Sequence, residues 1–284
     1  MLGLGRIGVW SRGLRYNPDR AGAAAAVAEL EALGYGAAWL PDTGGDVLDD
    51  VRGVLEATSS IAVATGILNI WVHVAEDVAR GSAALHRDHP GRFVLGLGAS
   101  HGPVVGERYE RPLSTMRAYL DALDDAEPPV APDRRVLAAL GPRMLELARE
   151  RAAGAHPYLV TPEHTRRARE ILGPDRALAV EQSVALEPDP VRGLERARAF
   201  VADYLRLPNY VANLERLGYG EDDLRGSDRL ARDLVAFGDE EAIAAHVQSH
   251  FDAGADHVCI QVIDMGDAFA LEQWRRLAPA LVNE

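Results

Sequence analysis

The rhythm of the chain predicts a (β/α)8 barrel, an α/β fold that does its chemistry at the C-terminal mouth of its parallel strands. Short apolar runs alternate eight times with longer segments of helical periodicity. A length of 284 residues suits one large barrel domain, residues 1–284, and 48% hydrophobic residues suffice for a core without disulfides or structural metal. Gly and Pro are scattered, and no internal repeat is visible. Periodicity does not show closure, so an open doubly wound sheet is the alternative.

The elements follow in order. Arg6–Trp10 is a short first strand. Asp19–Leu33 is an alanine-rich helix stopped by Gly34. Ala37–Leu40 is the second strand, ended by Pro41, and Asp49–Thr58 a helix. Ile61–Thr65 alternates and is β-branched, which gives a third strand. Ala75–His89 is a helix stopped by Pro90, and Arg92–Leu97 the fourth strand. Leu113–Leu123 is a helix with its N-cap at Pro112 or Ser114, followed by the polar, proline-rich linker Glu127–Asp133. Arg135–Leu140 is the fifth strand, Arg143–Ala152 a helix and Ala155–Val160 the sixth strand. Thr161-Pro162-Glu163-His164 opens a helix that runs to Leu172, with Pro at its first position. Ala177–Leu186 is the seventh strand, Asp189–Leu205 a helix, Glu240–Ala253 another, His257–Val262 the eighth strand and Leu271–Leu281 the last helix. Arg206–Phe237 breaks the rhythm: an insertion between strands seven and eight, placed to cover or flank the mouth.

Composition excludes several functions. A formal net charge of −13 argues against nucleic acid or an anionic membrane as partner. All 30 basic residues are arginine, so no lysine Schiff base can form, which removes class I aldolase and pyridoxal chemistry. Cys259 is the one cysteine, set in a strand, and reads as inert packing in a reducing compartment. Met1–Val9 lacks the basic start and long apolar stretch of a signal peptide, and no apolar run is long enough to span a membrane, so a cytoplasmic location is expected.

In a barrel, the residues just past each strand face the site. That picks out Trp10, Pro41-Asp42-Thr43, Gly66–Asn69, Gly98-Ala99-Ser100-His101, Gly141-Pro142-Arg143, His156 and Tyr158, Glu181 and Gln182, and Gln261. The glycine run Gly96–Gly102 misses the spacing of a dinucleotide fingerprint and sits on the fourth strand. The helical pairs His86/His89 and His246/His250 lack the H-E-x-x-H pattern and read as surface histidines, so no metal is expected. No G-x-S-x-G nucleophile elbow is present. Gly141-Pro142-Arg143 ends a strand and starts a helix. Its free N–H groups and the Arg143 guanidinium suit a phosphate or another anion, and an ordinary βα turn is the competing reading. His101 closes the fourth strand, with Gly96 and Gly98 leaving room for a ring to approach. Its ordinary pKa of about 6.5 suits proton transfer near neutrality.

Pro90-Gly91 followed by Arg92–His101 (RFVLGLGASH) resembles the fourth strand of the luciferase-like monooxygenase superfamily, and within it the oxidoreductases that use the deazaflavin coenzyme F420. Ala64-Thr65-Gly66-Ile67 is similar to that family's third strand, Ala138–Pro142 to its fifth, and Gly254–Val258 to the approach to its last. No single motif is specific; their order and spacing carry the resemblance over nearly the whole chain. It implies a hydride-transferring oxidoreductase on a barrel that holds F420 and acts on a small-molecule substrate. A flavin mononucleotide (FMN) monooxygenase is the second reading, and a barrel that binds ligand without turnover the third. The resemblance further implies a non-proline cis peptide at Gly66-Ile67 behind the ring, with Thr65 ending the strand before it and Thr65, Gly66 and Ile67 all counted among the cofactor-binding residues. Asp42, Ser100 and His101 would contact the deazaflavin, His101 as the catalytic proton carrier, and Gly141, Pro142 and Arg143 the phosphate. A homodimer is expected by analogy with the fold. The chain departs from longer relatives in being short after the fourth strand and in carrying Thr43 where some place a histidine.

Overall fold

Eight parallel strands close into a barrel in the computed structural model, which describes residues 2–282; Met1 and the last two residues of the 1–284 domain lie outside it. The strands are β1 Ile7–Trp10, β2 Ala37–Leu40, β3 Ala62–Thr65, β4 Phe93–Gly98, β5 Arg135–Leu137, β6 Gly154–Ala155, β7 Ala177–Leu186 and β8 His257–Val262. They pair in chain order, and closure comes from β8, which pairs β1 (Ile7 opposite Val258) and β7 (His257 opposite Ala179). The open doubly wound sheet is thereby set aside.

Alternation along the strands sorts two cores. On β2, Ala38 and Leu40 face the surrounding helices, whereas Ala37 and Trp39 belong to the barrel interior. Ala37, Ala62, Ala64 and Ala179 are small, which leaves the interior volume for Trp39, fully buried and stacked on His156 at 4.0 Å. Cys259 is buried in the same cluster, as its strand position implied. The helices are started by short polar side chains: Asp19, Thr161, Asp189, Ser227 and Asp239 each accept a backbone N–H of the first turn.

Several expected boundaries shift for local reasons. The helix expected at Asp49–Thr58 is Val47–Glu56, because Asp46 caps Leu48 and Asp49. The helix expected from Leu113 starts at Pro112, and its N-cap is Arg111 in the left-handed region (φ 45°), with no side-chain cap from Ser114. The fifth strand stops at Leu137 and the sixth at Ala155, short of Leu140 and Val160. His156 N still donates to Leu137 O and Pro157 O still accepts from Glu181 N, but Pro157 has no N–H for a ladder and Leu159 has φ 52°, so the pairing ends at Pro157. The insertion holds helices Pro208–Leu217, Glu221–Leu224 and Asp228–Leu234, and ends in a strand, Val235–Gly238, that pairs β7. That strand and the two-residue strand Leu68–Asn69 on β4 were not anticipated.

The histidine pairs are not all surface groups. His250 is fully buried, bonded to Thr165 Oγ1 (2.8 Å) and Gln182 Oε1 (2.7 Å) between two helices and β7. Among the described residues no group of three or more His, Cys, Asp or Glu could hold a metal ion, and no helix is long and apolar enough to cross a membrane.

Candidate active site

The strand ends open into a cavity of about 650 Å3 at the barrel mouth. One wall is built from β1, β3 and β4. Trp10 Nε1 donates to Gly66 O at 2.7 Å, and the Gly66-Ile67 peptide is cis. A Cβ on Gly66 would stand 2.8 Å from Trp10 Nε1, so only glycine fits there. Gly96 and Gly98 do not leave room for a ligand ring: a Cβ on Gly96 would collide with Thr65 O, and one on Gly98 with Ile67 Cδ1. The space the two glycines vacate is filled by Thr65 at the end of β3 and by Ile67 in the segment that follows it. That segment presents Gly66 and Ile67 to the cavity. Thr65 itself is fully buried behind this wall, its Oγ1 donating to Gly96 O (2.7 Å) and accepting from Gly96 N (2.8 Å).

Asp42 lines the cavity but its carboxylate is committed. It accepts from Arg15 (2.9 Å), from Asn69 N (3.0 Å) and from Gly44 N (3.1 Å), and pairs with His73 Nε2 at 2.7 Å. Burial pushes its pKa up, but the bonds from His73, Asn69 and Arg15 outweigh this and hold it at about 2. Arg15 is itself 1% exposed and also grips Pro41 O, Gly44 O and Asp50. The pair therefore fixes the loop after β2. Arg15 carries no sequence signal, since it is one arginine among 30.

Ser100 (φ 52°) and His101 follow β4 and line the cavity. His101 Nδ1 lies 3.2 Å from Asn209 Oδ1, and an amide oxygen accepts only, so Nδ1 carries the proton. Nε2 is left with a lone pair and makes no hydrogen bond among the described residues. Burial lowers the His101 pKa, against a smaller rise from Asn209, so the imidazole is neutral at pH 7. Two of the four non-glycine residues with positive φ among the described residues, Ser100 and Asp264, line the cavity. Strained backbone of this kind concentrates at functional sites.

Gly141 lines the cavity as N-cap of helix Pro142–Arg151, but Pro142 and Arg143 are exposed and outside the lining. Gly141 and Met144, three residues apart, form the cavity-facing stripe, which turns Arg143 about 100° toward solvent. The cation beside this turn is Arg216, whose Nη2 would lie 3.5 Å from a Cβ on Gly141. Asn209, Ala212 and Arg216 line the cavity from one face of helix Pro208–Leu217, so the insertion does flank the mouth. Their i, i+3, i+7 spacing was readable in the sequence.

Tyr158 and Gln261 reach the cavity as expected, joined by a 2.6 Å bond, and Tyr204 adds a second 2.6 Å bond to Tyr158. Glu181 does not reach it. It is fully buried, accepts from Leu159 N and Ser183 Oγ (both 2.8 Å), and is pushed up to about 7 by burial against those two bonds. Gln182 points outward to His250.

The luciferase-like monooxygenase family profile matches residues 6–257. No curated protein matches the chain. Among solved structures, an F420-dependent secondary alcohol dehydrogenase in complex with an F420-acetone adduct is 17% identical, with TM-score 0.70 over 98% of this chain and 99% of that one. The coenzyme F420-dependent tetrahydromethanopterin reductase from Methanopyrus kandleri is 15% identical, with TM-score 0.77 over 98% of each chain. The oxygenating constituent of 3,6-diketocamphane monooxygenase from Pseudomonas putida, in complex with FMN, is 15% identical, with TM-score 0.69 over 98% of each chain. These neighbours share the fold and use either coenzyme. With the closed barrel, the mouth cavity and a profile match spanning most of the sequence, this chain belongs to the luciferase-like monooxygenase family.

Proposed function

We propose that the chain is an oxidoreductase that transfers a hydride between coenzyme F420 and a small organic substrate. The residues present fit a planar ring with an anionic tail. Trp10, Gly66 and Ile67 form a rigid apolar shelf, and the Gly141 helix N-terminus with Arg216 forms an anion-receptive end. When bound, the deazaflavin supplies a carbon that accepts or delivers hydride. Ser100 and His101 line the same cavity and are the polar groups this reading puts beside the reacting carbon.

The observation that carries the reading is His101: a neutral imidazole whose Nδ1–H is held by Asn209 and whose Nε2 lone pair is free. In the oxidising direction the substrate loses hydride from its carbinol carbon, the O–H proton passes to Nε2, and the C–O bond becomes C=O. In the reducing direction the same nitrogen returns the proton to the carbonyl oxygen.

The test is paired titration of the protein with F420 and FMN by calorimetry and by quenching of tryptophan fluorescence, since Trp10 lines the cavity. Binding of F420 at least about tenfold tighter than FMN, a difference of about 1.4 kcal/mol, supports the assignment. Equal or reversed affinity refutes it.

A further inference from the structure

We propose that the substrate is an uncharged, ring-bearing alcohol or ketone, recognised by an aromatic arc that ends at His101. This rests on the oxidoreductase reading only for the chemistry that follows binding. The arc is continuous in space: Trp10 packs on Tyr158 (ring centroids 5.4 Å apart), Tyr158 on Tyr204 (5.6 Å), Tyr204 edge-on to Tyr210 (5.2 Å), and Tyr210 on His101 (5.3 Å). All five side chains line the cavity.

The arc offers ring surface along most of its length and polarity at one end. The hydroxyls of Tyr158 and Tyr204 are bonded to each other, and Tyr158 also donates to Gln261. Tyr210 Oη has no protein partner among the described residues, and burial keeps its phenol protonated. It is therefore an unspent hydrogen-bond donor on the ring that packs against His101, whose Nε2 is an unspent acceptor. A ketone oxygen takes the Tyr210 proton donor, and an alcohol can also donate to His101. The rest of the molecule lies on Tyr204 and Tyr158, where offset or edge-to-face ring contacts favour an aromatic or alicyclic body.

Charge is disfavoured in the same place. Arg12, whose charge reaches Tyr204, is paired with Asp267 at 3.0 Å, and Arg216 flanks the Gly141 turn. Asp264 lines the cavity with no cation bonded to it among the described residues, which repels an anionic substrate.

Binding is measured on the full chain without coenzyme, so the outcome does not depend on whether F420 or FMN is the partner. The probes are acetophenone, butan-2-one, benzoate and ethylbenzene, read by calorimetry. Acetophenone is expected to bind at least about tenfold tighter than butan-2-one, because one buried ring removes apolar area from water, and, in Arg216→Met, which removes the cation at the anion-receptive end of the same cavity, at least about tenfold tighter than benzoate, whose carboxylate then gains no counter-charge. Tyr210→Phe is expected to weaken acetophenone by about fivefold to tenfold, the value of one hydrogen bond, and to leave ethylbenzene unchanged. Tyr204→Leu keeps the side chain apolar and is expected to erase the preference for the ring. Equal affinity for acetophenone and butan-2-one, or tighter binding of benzoate in Arg216→Met, overturns the proposal. So does a Tyr210→Phe effect that is the same for acetophenone and ethylbenzene. Failure of F420 binding with the ring preference intact overturns the coenzyme assignment and leaves this one standing.

Discussion

Acidification from pH 7 to pH 5 should unfold this protein far more readily than its surface charge suggests, because four imidazoles are sealed inside it. Burial holds His156, His164 and His257 at about 4 and His250 at about 3. Each ring is fixed as a neutral tautomer. His156 Nδ1 donates to Ala179 O (2.9 Å) and His257 Nδ1 to Gly5 O (2.8 Å). His164 Nε2 donates to Leu140 O (2.9 Å), and His250 is held between Thr165 and Gln182. In the unfolded chain the same groups titrate near 6.5. The unfolded state therefore binds more protons as pH falls below 6.5, and stability is lost down to about pH 4, where the native rings begin to charge. At pH 5 each ring costs about 2 kcal/mol, and the four together about 7 kcal/mol relative to pH 7. Glu181 acts the other way. Its native pKa of about 7 lies above the unfolded value, so protonation in that window returns about 2 kcal/mol. The expected net loss of about 5 kcal/mol is comparable to the whole stability of an ordinary domain. Urea unfolding followed by circular dichroism at pH 7, 6 and 5 measures it. In His257→Gln the amide keeps a donor for Gly5 O and an acceptor for Trp39 Nε1, and the pH-dependent loss should shrink by about 2 kcal/mol. Stability that stays within about 1 kcal/mol from pH 7 to pH 5 refutes the reasoning.

His101→Ala should cut turnover about a hundredfold or more while leaving coenzyme affinity within about tenfold, as steady-state kinetics and titration would show. Because burial lowers the His101 pKa, the acid limb of kcat/KM for alcohol oxidation should lie below pH 6.5, and a limb above that value excludes His101 as the base. Arg216→Met should weaken F420 about tenfold in calorimetry, whereas Arg143→Met should change it by less than about twofold, since only Arg216 faces the Gly141 turn. Arg15→Met leaves the buried Asp42 carboxylate to His73 and two backbone N–H groups, frees Pro41 O and Gly44 O, and should cost about 3 kcal/mol in denaturant unfolding.

The barrel was legible because each strand is an apolar run between amphipathic helices, and the third and fourth strands carried the family resemblance. The ends of β5 and β6 were not, because an apolar run such as Ala155–Val160 has the same composition inside or outside a sheet. Only Pro157 hinted that the ladder stops. At the site, chain-local residues such as Gly66, Ser100 and His101 could be placed from strand ends alone. Arg216, Asn209 and Tyr210 could not, because they arrive from an insertion about 110 residues downstream of His101, and local pattern does not report which mouth loop a helix will cover. That Arg143 lies outside the cavity lining was illegible for a related reason: an arginine at a helix start reads as an anion ligand, and the sequence alone does not show that the helix phase turns it to solvent. The glycines of β4 were assigned to a ligand because the sequence cannot show that Thr65 and Ile67 already fill the space above them.

Helix Pro208–Leu217 has a consequence for distances across the mouth. Asn209, which fixes the tautomer of His101, and Arg216, which flanks the anion-receptive turn, are two turns apart on one rod, about 10 Å along its axis. A rigid rod holds its residues at a fixed separation, so the group that orients the imidazole and the cation of the Gly141 turn keep a constant spacing across the mouth. On the proposed function, a coenzyme held by its charged end would lie at a set distance from His101, and a truncated coenzyme without that end should bind its ring yet turn over slowly. The insertion acts as a gauge between two chemistries that never touch.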